Sequence, residues 1–227
     1  QPGKSSMLAF EAKTGKLRWN QPRVSSRVCF STPCIYQPAG GVPELICTST
    51  SDGVFSLDPL TGQENWKTPG TLTMRVVSSP LIAEGLIFGS VGSGGGGNTI
   101  TAVRPGAKPE VAYTIKANAS YVPTLVAQNG LLFIFNDKGV VSCADVATGE
   151  IHWRERLTRG FSGSPVIGDG KVYIIDDDGD VHVIAVAKEY QLLASNPLGE
   201  PSRSTPAIAG GRLYFRTLSH LVSVGGN

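Results

Sequence analysis

Charged residues are scarce in this 227-residue chain: Asp, Glu, Lys and Arg make up 17% of it, against 41% apolar residues. A chain this weakly charged and this apolar does not belong to the disordered class, which needs the opposite balance. The formal net charge is only +2. That is too near neutral for total charge to point to nucleic acid or to an anionic membrane surface. No apolar run approaches the roughly 20 residues of a membrane-spanning helix, so no transmembrane segment is expected. No window sustains the i, i+3, i+4, i+7 apolar pattern of a substantial helix, so none is expected. The four cysteines, Cys29, Cys34, Cys47 and Cys143, include no CxxC spacing, so a zinc site is not expected. Neither G-x-S-x-G nor H-E-x-x-H occurs, and His152, His182 and His220 fall in strand contexts of three different repeats, so no catalytic triad is expected. No signal peptide is visible. The chain opens at Gln1 part-way through a repeat and reads as the interior of a longer polypeptide, so a missing signal is no evidence for the cytoplasm.

What the sequence has in quantity is glycine (28) and proline (15), a mix that suits many short strands joined by turns. One stretch organises the rest. Asp145-Val146-Ala147-Thr148-Gly149 leads to Trp153, and the same signal appears as Glu11 to Gly15 leading to Trp19 and as Asp58 to Gly62 leading to Trp66. In each copy the acid lies three residues before Thr and Trp lies four after Gly, which accounts for every Trp in the chain. A second marker, a small or polar pair followed by Pro, stands at Pro33, Pro80, Pro123, Pro165 and Pro206. Spacings of about 40 residues mark a propeller or solenoid, and four short antiparallel strands fit one period. In the period opening at Pro165, strands are expected at Val166-Ile167, Lys171–Ile175, Val181–Val186 and from Leu192, with hairpin turns at Gly168-Asp169-Gly170 and Asp176–Asp180. The expected fold is therefore all-β, a β-propeller of four-stranded antiparallel blades. It forms a single region over 1–227: a partial blade 1–20, blades about 30–70, 77–117, 121–157 and 161–198, and a partial blade 202–227. Because both ends supply a third strand, an incomplete ring that self-associates when expressed alone is expected. The third period departs from the rule, with a loop Gly92–Asn98, Arg104–Pro109 in place of the Thr-Gly turn, and Tyr113 in place of Trp.

The A-x-[D/E]-x-x-T-G-x-x-x-W pattern, with Ala9, Ser56 and Cys143 at its small first position and Pro before each first strand, resembles the PQQ-like (quinoprotein-like) β-propeller repeat over essentially the whole chain. The stretches Trp153 to Pro165 and Ala194 to Glu200 are similar to repeat proteins of the outer-membrane assembly group. The resemblance implies an exported protein of the periplasm or cell envelope, often non-enzymatic. Quinoprotein enzymes of this fold hold PQQ with a vicinal disulfide, a calcium-binding acid set and a stacking Trp. This chain has no adjacent cysteine pair, and its three Trp residues all obey the repeat rule, so no cofactor site is carried over and no cofactor is expected.

Individual residues are weighed on the same terms. Trp19, Trp66 and Trp153 are expected on outer strands, each covering the neighbouring blade, where one aromatic buries on the order of 200 Å². Asp176–Asp180 looks like a calcium loop, but the matching turns Ser51-Asp52-Gly53 and Asp137-Lys138-Gly139 make it first a hairpin turn. Gly92–Gly97 lacks the Lys-Ser/Thr ending of a phosphate loop. Cys34 and Cys47 face each other if their hairpin turns at Gly40-Gly41, which would allow a cross-strand disulfide. Small buried thiols are the plainer expectation. Arg27, Arg75, Arg159 and Arg203 each sit shortly before a Pro marker, on connections expected to share a face with Asp52, Asp137 and Asp176–Asp180. Local Arg–Asp pairing is the first expectation. A mixed-charge rim that docks a protein partner or an anionic polymer is the functional one.

The functional expectation is a non-catalytic binding or scaffold module that recognises a protein partner, with no nucleic acid. The alternatives are a PQQ-dependent oxidoreductase, or its remnant, with cofactor residues outside this segment, and a structural stalk domain of a larger envelope enzyme. No PQQ-dependent dehydrogenase activity is predicted for this chain. Stoichiometric PQQ binding by calorimetry, together with turnover of an alcohol or sugar, would contradict that expectation.

Overall fold

The computed structural model describes residues 5–25 and 27–225. The chain divides into two compact units, Gln1–Ile115 and Lys116–Asn227. In the first unit a hairpin of β1 (Ser5–Phe10) and β2 (Leu17–Arg23) precedes two four-stranded sheets. One sheet is β3 (Cys34–Tyr36), β4 (Glu44–Ser49), β5 (Gly53–Leu57) and β6 (Glu64–Lys67). The other is β7 (Leu81–Ala83), β8 (Leu86–Val91), β9 (Thr99–Arg104) and β10 (Glu110–Ile115). The second unit begins with β11 (Val126–Gln128), β12 (Leu131–Phe135), β13 (Val140–Asp145) and β14 (Ile151–Arg156). It continues with β15 (Val166–Gly168), β16 (Lys171–Ile175), β17 (Asp180–Ala185) and β18 (Leu192–Pro197), and ends on a three-stranded sheet of β19 (Ala207–Ala209), β20 (Arg212–Arg216) and β21 (Leu221–Val224). Every strand pairing is antiparallel and sequential.

The recurring acid is a turn cap. Asp145 Oδ1 accepts the Ala147 and Thr148 amides, each at 2.9 Å, while the Gly149 amide donates to the Asp145 carbonyl at 2.9 Å. Asp58 repeats this with Leu60 and Thr61. In the first copy Thr14 Oγ1 reaches Glu11 Oε2 at 2.8 Å. A carboxylate held by two amides ionises easily: the Thr148 backbone and side-chain bonds lower the Asp145 pKa. Each of these three turns follows a register shift in its hairpin, as does the turn between β17 and β18, and such bulges sharpen the local twist.

Both faces of the inner strands are covered, which is why β12 can be Leu-Leu-Phe-Ile-Phe and buried at every position. Phe133, Phe135, Val141 and Cys143 meet Phe161, Val172, Ile174 and Ile184 of the next blade. The opposite face of that next blade packs Ile175 and Val181 against Phe215. In the first unit Ile46, Val54 and Trp66 pack with Ile87 and Val103, while Cys47, Phe55 and Leu57 pack with Met7 and Trp19. Alternation along each strand assigns its side chains to the two interfaces. The β1–β2 hairpin leaves one face open, and there Leu8 and Phe10 are about half exposed, at 48% and 56%.

The small-polar-Pro marker turns out to be a blade-to-blade staple. The Thr32 amide donates to Ser79 Oγ at 3.1 Å in the first unit. In the second, the Thr124 amide donates to Ser164 Oγ at 2.9 Å and the Ser164 amide to Thr205 Oγ1 at 3.0 Å. The glycine before the fourth Pro is required as well: a Cβ on Gly163 would stand 2.3 Å from the Ser204 carbonyl oxygen.

The plainer cysteine expectation, unbonded thiols, holds, and register rules out the cross-strand disulfide. Cys34 opposes Ile46 rather than Cys47, because the hairpin pairs Tyr36 with Glu44. A one-residue shift reverses the face. Cys34 thus joins the interface with β7–β10, Cys47 joins the interface with the β1–β2 hairpin, and both thiols are free. Burial pushes the Cys47 and Cys143 thiols up to about 12, so they are inert packing groups.

All three tryptophans lie on outer strands, but their polar edges differ. Trp19 Nε1 donates to the Pro59 carbonyl at 3.1 Å and Trp153 Nε1 to the Ala187 carbonyl at 3.2 Å, each an acceptor in the turn before the next blade's outer strand. Trp19 also lies against Gly62, where a Cβ would come within 2.6 Å of the ring. Trp66 instead donates back to Glu44 Oε2 of its own blade at 2.7 Å. Its neighbour is the blade with Arg104–Pro109 in place of the tight turn. Replacing Trp66 or Trp153 by Ala is expected to lower stability by about 3–5 kcal/mol each. A loss below about 1 kcal/mol in denaturant melts would show that these rings contribute little to packing.

Candidate partner-binding surface

The four arginines before the Pro markers are all exposed, and among the described residues none of them forms an ion pair. The expected pairing with nearby aspartates is not made, and three of those carboxylates, Asp52, Asp137 and Asp176, are engaged elsewhere. Asp137 accepts the amides of Tyr121 at 2.8 Å and Val122 at 2.9 Å. Asp176 Oδ1 accepts the amides of Asp178, Gly179 and Asp180, and its Oδ2 accepts Thr158 Oγ1 at 2.7 Å. Burial opposes ionisation of Asp176, but the bonds from Thr158, the Asp180 amide and His182 outweigh it and hold its carboxyl below the usual range. The turn is thus built by its own first carboxylate.

That turn also anchors a chain the sequence did not reveal. His182 Nε2 is 3.1 Å from Asp176 Oδ2, and His182 Nδ1 is 2.9 Å from Ser195 Oγ. His182 and Ser195 lie thirteen residues apart but face each other across β17 and β18. The connectivity is Ser–His–Asp, with His182 and Asp176 buried, and its evident work is to tie the turn to the outer strand. His220, expected in a strand, lies instead in the turn before β21, where it, Ser219 and Thr217 bond Glu200. Those bonds, the Ser219 hydroxyl foremost, pull the Glu200 carboxyl down to about 2.

In the first unit the connection after β2 and the connection after β6 run side by side. A parallel bridge joins Cys29 to Val76, and the Phe30 amide donates to the Val76 carbonyl at 2.9 Å. This places Arg27 and Arg75 on the lining of one cavity of about 610 Å³. Among the described residues its charged lining is three guanidinium groups, Arg23, Arg27 and Arg75, against the single carboxylate of Asp52. Arg23 is the residue that does pair. Its Nη2 is 2.7 Å from Asp52, its Nη1 is 3.0 Å from Glu64, and its guanidinium lies 4.2 Å above the Phe55 ring. Nη2 is close to Asp52 without an aligned hydrogen bond, so charge rather than direction holds that contact. The signal for Arg23 was the alternation continuing past Trp19 through Gln21, since β2 runs to residue 23. In the second unit Arg203 lines a smaller cavity of about 230 Å³ with Arg216, Ser202 and Ser204, and Arg159 precedes Gly160, whose carbonyl accepts the Asp177 amide at 3.2 Å.

Arg23 and the rim arginines should therefore separate in a stability assay. Arg23→Ala leaves Asp52 with only the more distant Lys67, at 3.8 Å, and is expected to cost about 2 kcal/mol. Arg27→Ala and Arg75→Ala are expected to stay within about 0.5 kcal/mol of the parent in urea melts. Equal effects at all three would contradict this division.

A family model described as outer membrane protein assembly factor BamB matches residues 1–111 and 114–224. The crystal structure of BamB from Moraxella catarrhalis is similar with a TM-score of 0.74 at 14% identity, over 96% of this chain and 66% of that one. The computationally designed Ika8 protein is similar with a TM-score of 0.71 at 12% identity, over 97% of this chain and 65% of that one. The chain thus spans just under two thirds of each of these structures. No curated protein matched it in sequence. Among the described residues no helix is long and apolar enough to cross a membrane. Blades of four antiparallel strands, a repeat rule that reaches from Trp19 to Trp153 and a family match over nearly the whole length agree: the chain belongs to the PQQ-like β-propeller family described as outer membrane protein assembly factor BamB.

Proposed function

We infer that this chain is a binding or scaffold module of a bacterial cell-envelope protein, acting in the periplasm by recognising a protein partner. One observation carries the reading beyond family membership. Arg27, Arg75, Arg159 and Arg203 are held out on inter-blade connections, exposed and without a carboxylate partner among the described residues. A guanidinium presents five donors in a rigid fork and loses little water when it meets a carboxylate, so free arginines on a rigid scaffold suit acidic protein surfaces. Their charge is set against a molecule of net charge only +2, so the attraction is local to the connections. The blades supply the rigidity: staples and buried interfaces fix the connections from which the arginines project.

The test is site-specific photo-crosslinking in the cell envelope. A photo-reactive phenylalanine analogue in place of Arg27, Arg75, Arg159 or Arg203 should give adducts with a protein partner, identified by mass spectrometry. The same analogue at Lys13, on the exposed Thr-Gly turn, should give none. With the analogue kept at one of these positions, charge reversal, Arg→Glu, at the other three should abolish capture while leaving the melting curve unchanged. Adducts of equal yield at Lys13, or capture indifferent to charge reversal, would overturn the reading.

A further inference from the structure

The outer strand of a blade has one side without a neighbour in its sheet. Among the described residues β14 pairs with β13 alone, and the whole blade β15–β18 follows it, so this open side belongs to the blade and not to an end of the chain. The other outer strands differ. β2 and β18 contain Pro22 and Pro197, each of which removes an amide donor. β6 has four residues, and its Glu64 and Lys67 are held in ion pairs. β10 has a single charged residue, Glu110, before its bulge. β14 has six residues, no proline, and ends on Arg154-Glu155-Arg156. All three are exposed, and among the described residues none forms an ion pair.

The ladder decides which backbone groups face outward. Glu155 lies opposite Val141, and the Leu157 amide donates to the Gly139 carbonyl at 2.9 Å. Residues of that parity bond β13, so the amides and carbonyls of Arg154 and Arg156 point to the open side. Side chains alternate across the two faces. Arg154 and Arg156 share the face of Ser142: Arg154 Nε donates to Ser142 Oγ at 3.3 Å, and Arg156 Nη1 donates to the Lys138 carbonyl at 2.7 Å. Glu155 lies on the other face, toward Tyr190, whose pKa burial and that carboxylate both raise.

We propose that the open side of β14 takes an antiparallel strand of a protein partner that carries Glu-Lys-Glu, or Asp in place of Glu, opposite Arg154-Glu155-Arg156. Each acid then meets a guanidinium on one face of the sheet, and the lysine meets Glu155 on the other. The backbone bonds contribute affinity without regard to sequence, and the charges set the register. The same charges turn away a second copy of this chain. In the antiparallel register that overlaps all three residues, each arginine would face an arginine and Glu155 would face Glu155, and like charges directly opposite repel. The pattern that protects the edge from its own kind thus specifies what it accepts. The proposal rests on the reading of the chain as a partner-binding module and assigns it a second recognition surface, apart from the inter-blade connections.

A fluorescein-labelled Thr-Glu-Lys-Glu-Thr peptide is the probe, with fluorescence anisotropy on addition of the full chain in low-salt buffer as the readout. Its extended residues span about 17 Å, enough to cover the three charged positions and one neighbour on each side. Saturable binding is expected, with the reversed peptide Thr-Lys-Glu-Lys-Thr at least about tenfold weaker. The charge exchange Arg154→Glu/Glu155→Lys/Arg156→Glu should invert that preference. The milder Arg154→Gln/Arg156→Gln should weaken the first peptide by about tenfold with an unchanged far-ultraviolet spectrum. N-methylation separates strand addition from adhesion. On both Glu residues of the peptide it should abolish binding, because their amides face β14, and on the Lys it should leave binding intact. Equal binding of the two peptides, a preference that does not follow the charge exchange, or equal effects of the two methylations would each overturn the proposal. If the peptide fails while photo-crosslinking on the connections captures a partner, this proposal falls and the broader reading stands. If photo-crosslinking captures nothing while the peptide binds with these preferences, the connections are not the docking surface and the β14 surface stands.

Discussion

A four-stranded sheet as apolar as these has two faces to remove from water and can cover neither by itself. In each unit the cover is the next blade, so a single strand such as β5 contributes Val54 to one interface and Phe55 to the other. Fully burying a side chain of this size contributes about 1.5–3 kcal/mol, and the inner strands do so at nearly every position. This two-sided demand explains why the inner strands are continuous apolar runs, why the thiols of Cys47 and Cys143 are packing groups, and why blades recur rather than stand alone.

Apolar burial is non-directional and would accept more than one register between blades. The directional bonds select one. The marker hydroxyls of Ser79, Ser164 and Thr205 each accept an amide from the preceding blade. Near the outer rim Trp19 and Trp153 each donate to a turn carbonyl of the following blade. At Asp58 the acid-capped turn has a double role in this: the carboxylate closes the hairpin, and Pro59 then offers its carbonyl to the Trp19 indole. Where the Thr-Gly turn is replaced, at Arg104–Pro109, the indole of Trp66 turns to Glu44 instead, so the repeat rule is kept in sequence while its polar contact is rerouted.

The charges divide by the same logic. Carboxylates at the hairpin turns are drawn inward by amides that need an acceptor, as at Asp137 and Asp176, and so are withdrawn from surface pairing. Arginines on the connections keep their charge exposed. The exception is Arg23, which lies at the end of a strand and lays its guanidinium over Phe55 between Asp52 and Glu64. The acids that cap these turns are thus used for structure, and the arginines of the connections are left without an ion-pair partner among the described residues.

Much of this was legible in the residues. The spacing of Trp, Thr-Gly and Pro fixes the blade period because each sits where a strand must turn or begin, and those demands are local. The strands of the period opening at Pro165 lie within a residue or two of where alternation puts them. What sequence could not decide was pairing at a distance. Whether Cys34 met Cys47 or Ile46 depended on a single residue of hairpin register, and the loop from Gln37 to Pro43 permits either. Which arginine pairs with Asp52 depended on how far β2 runs, and the link from Asp176 through His182 to Ser195 depended on cross-strand register. Turn chemistry and periodicity are encoded within a few residues. The choice of partner for a charge, a thiol or an imidazole is made only when neighbouring strands and blades have packed, because it follows from distances the chain acquires in folding.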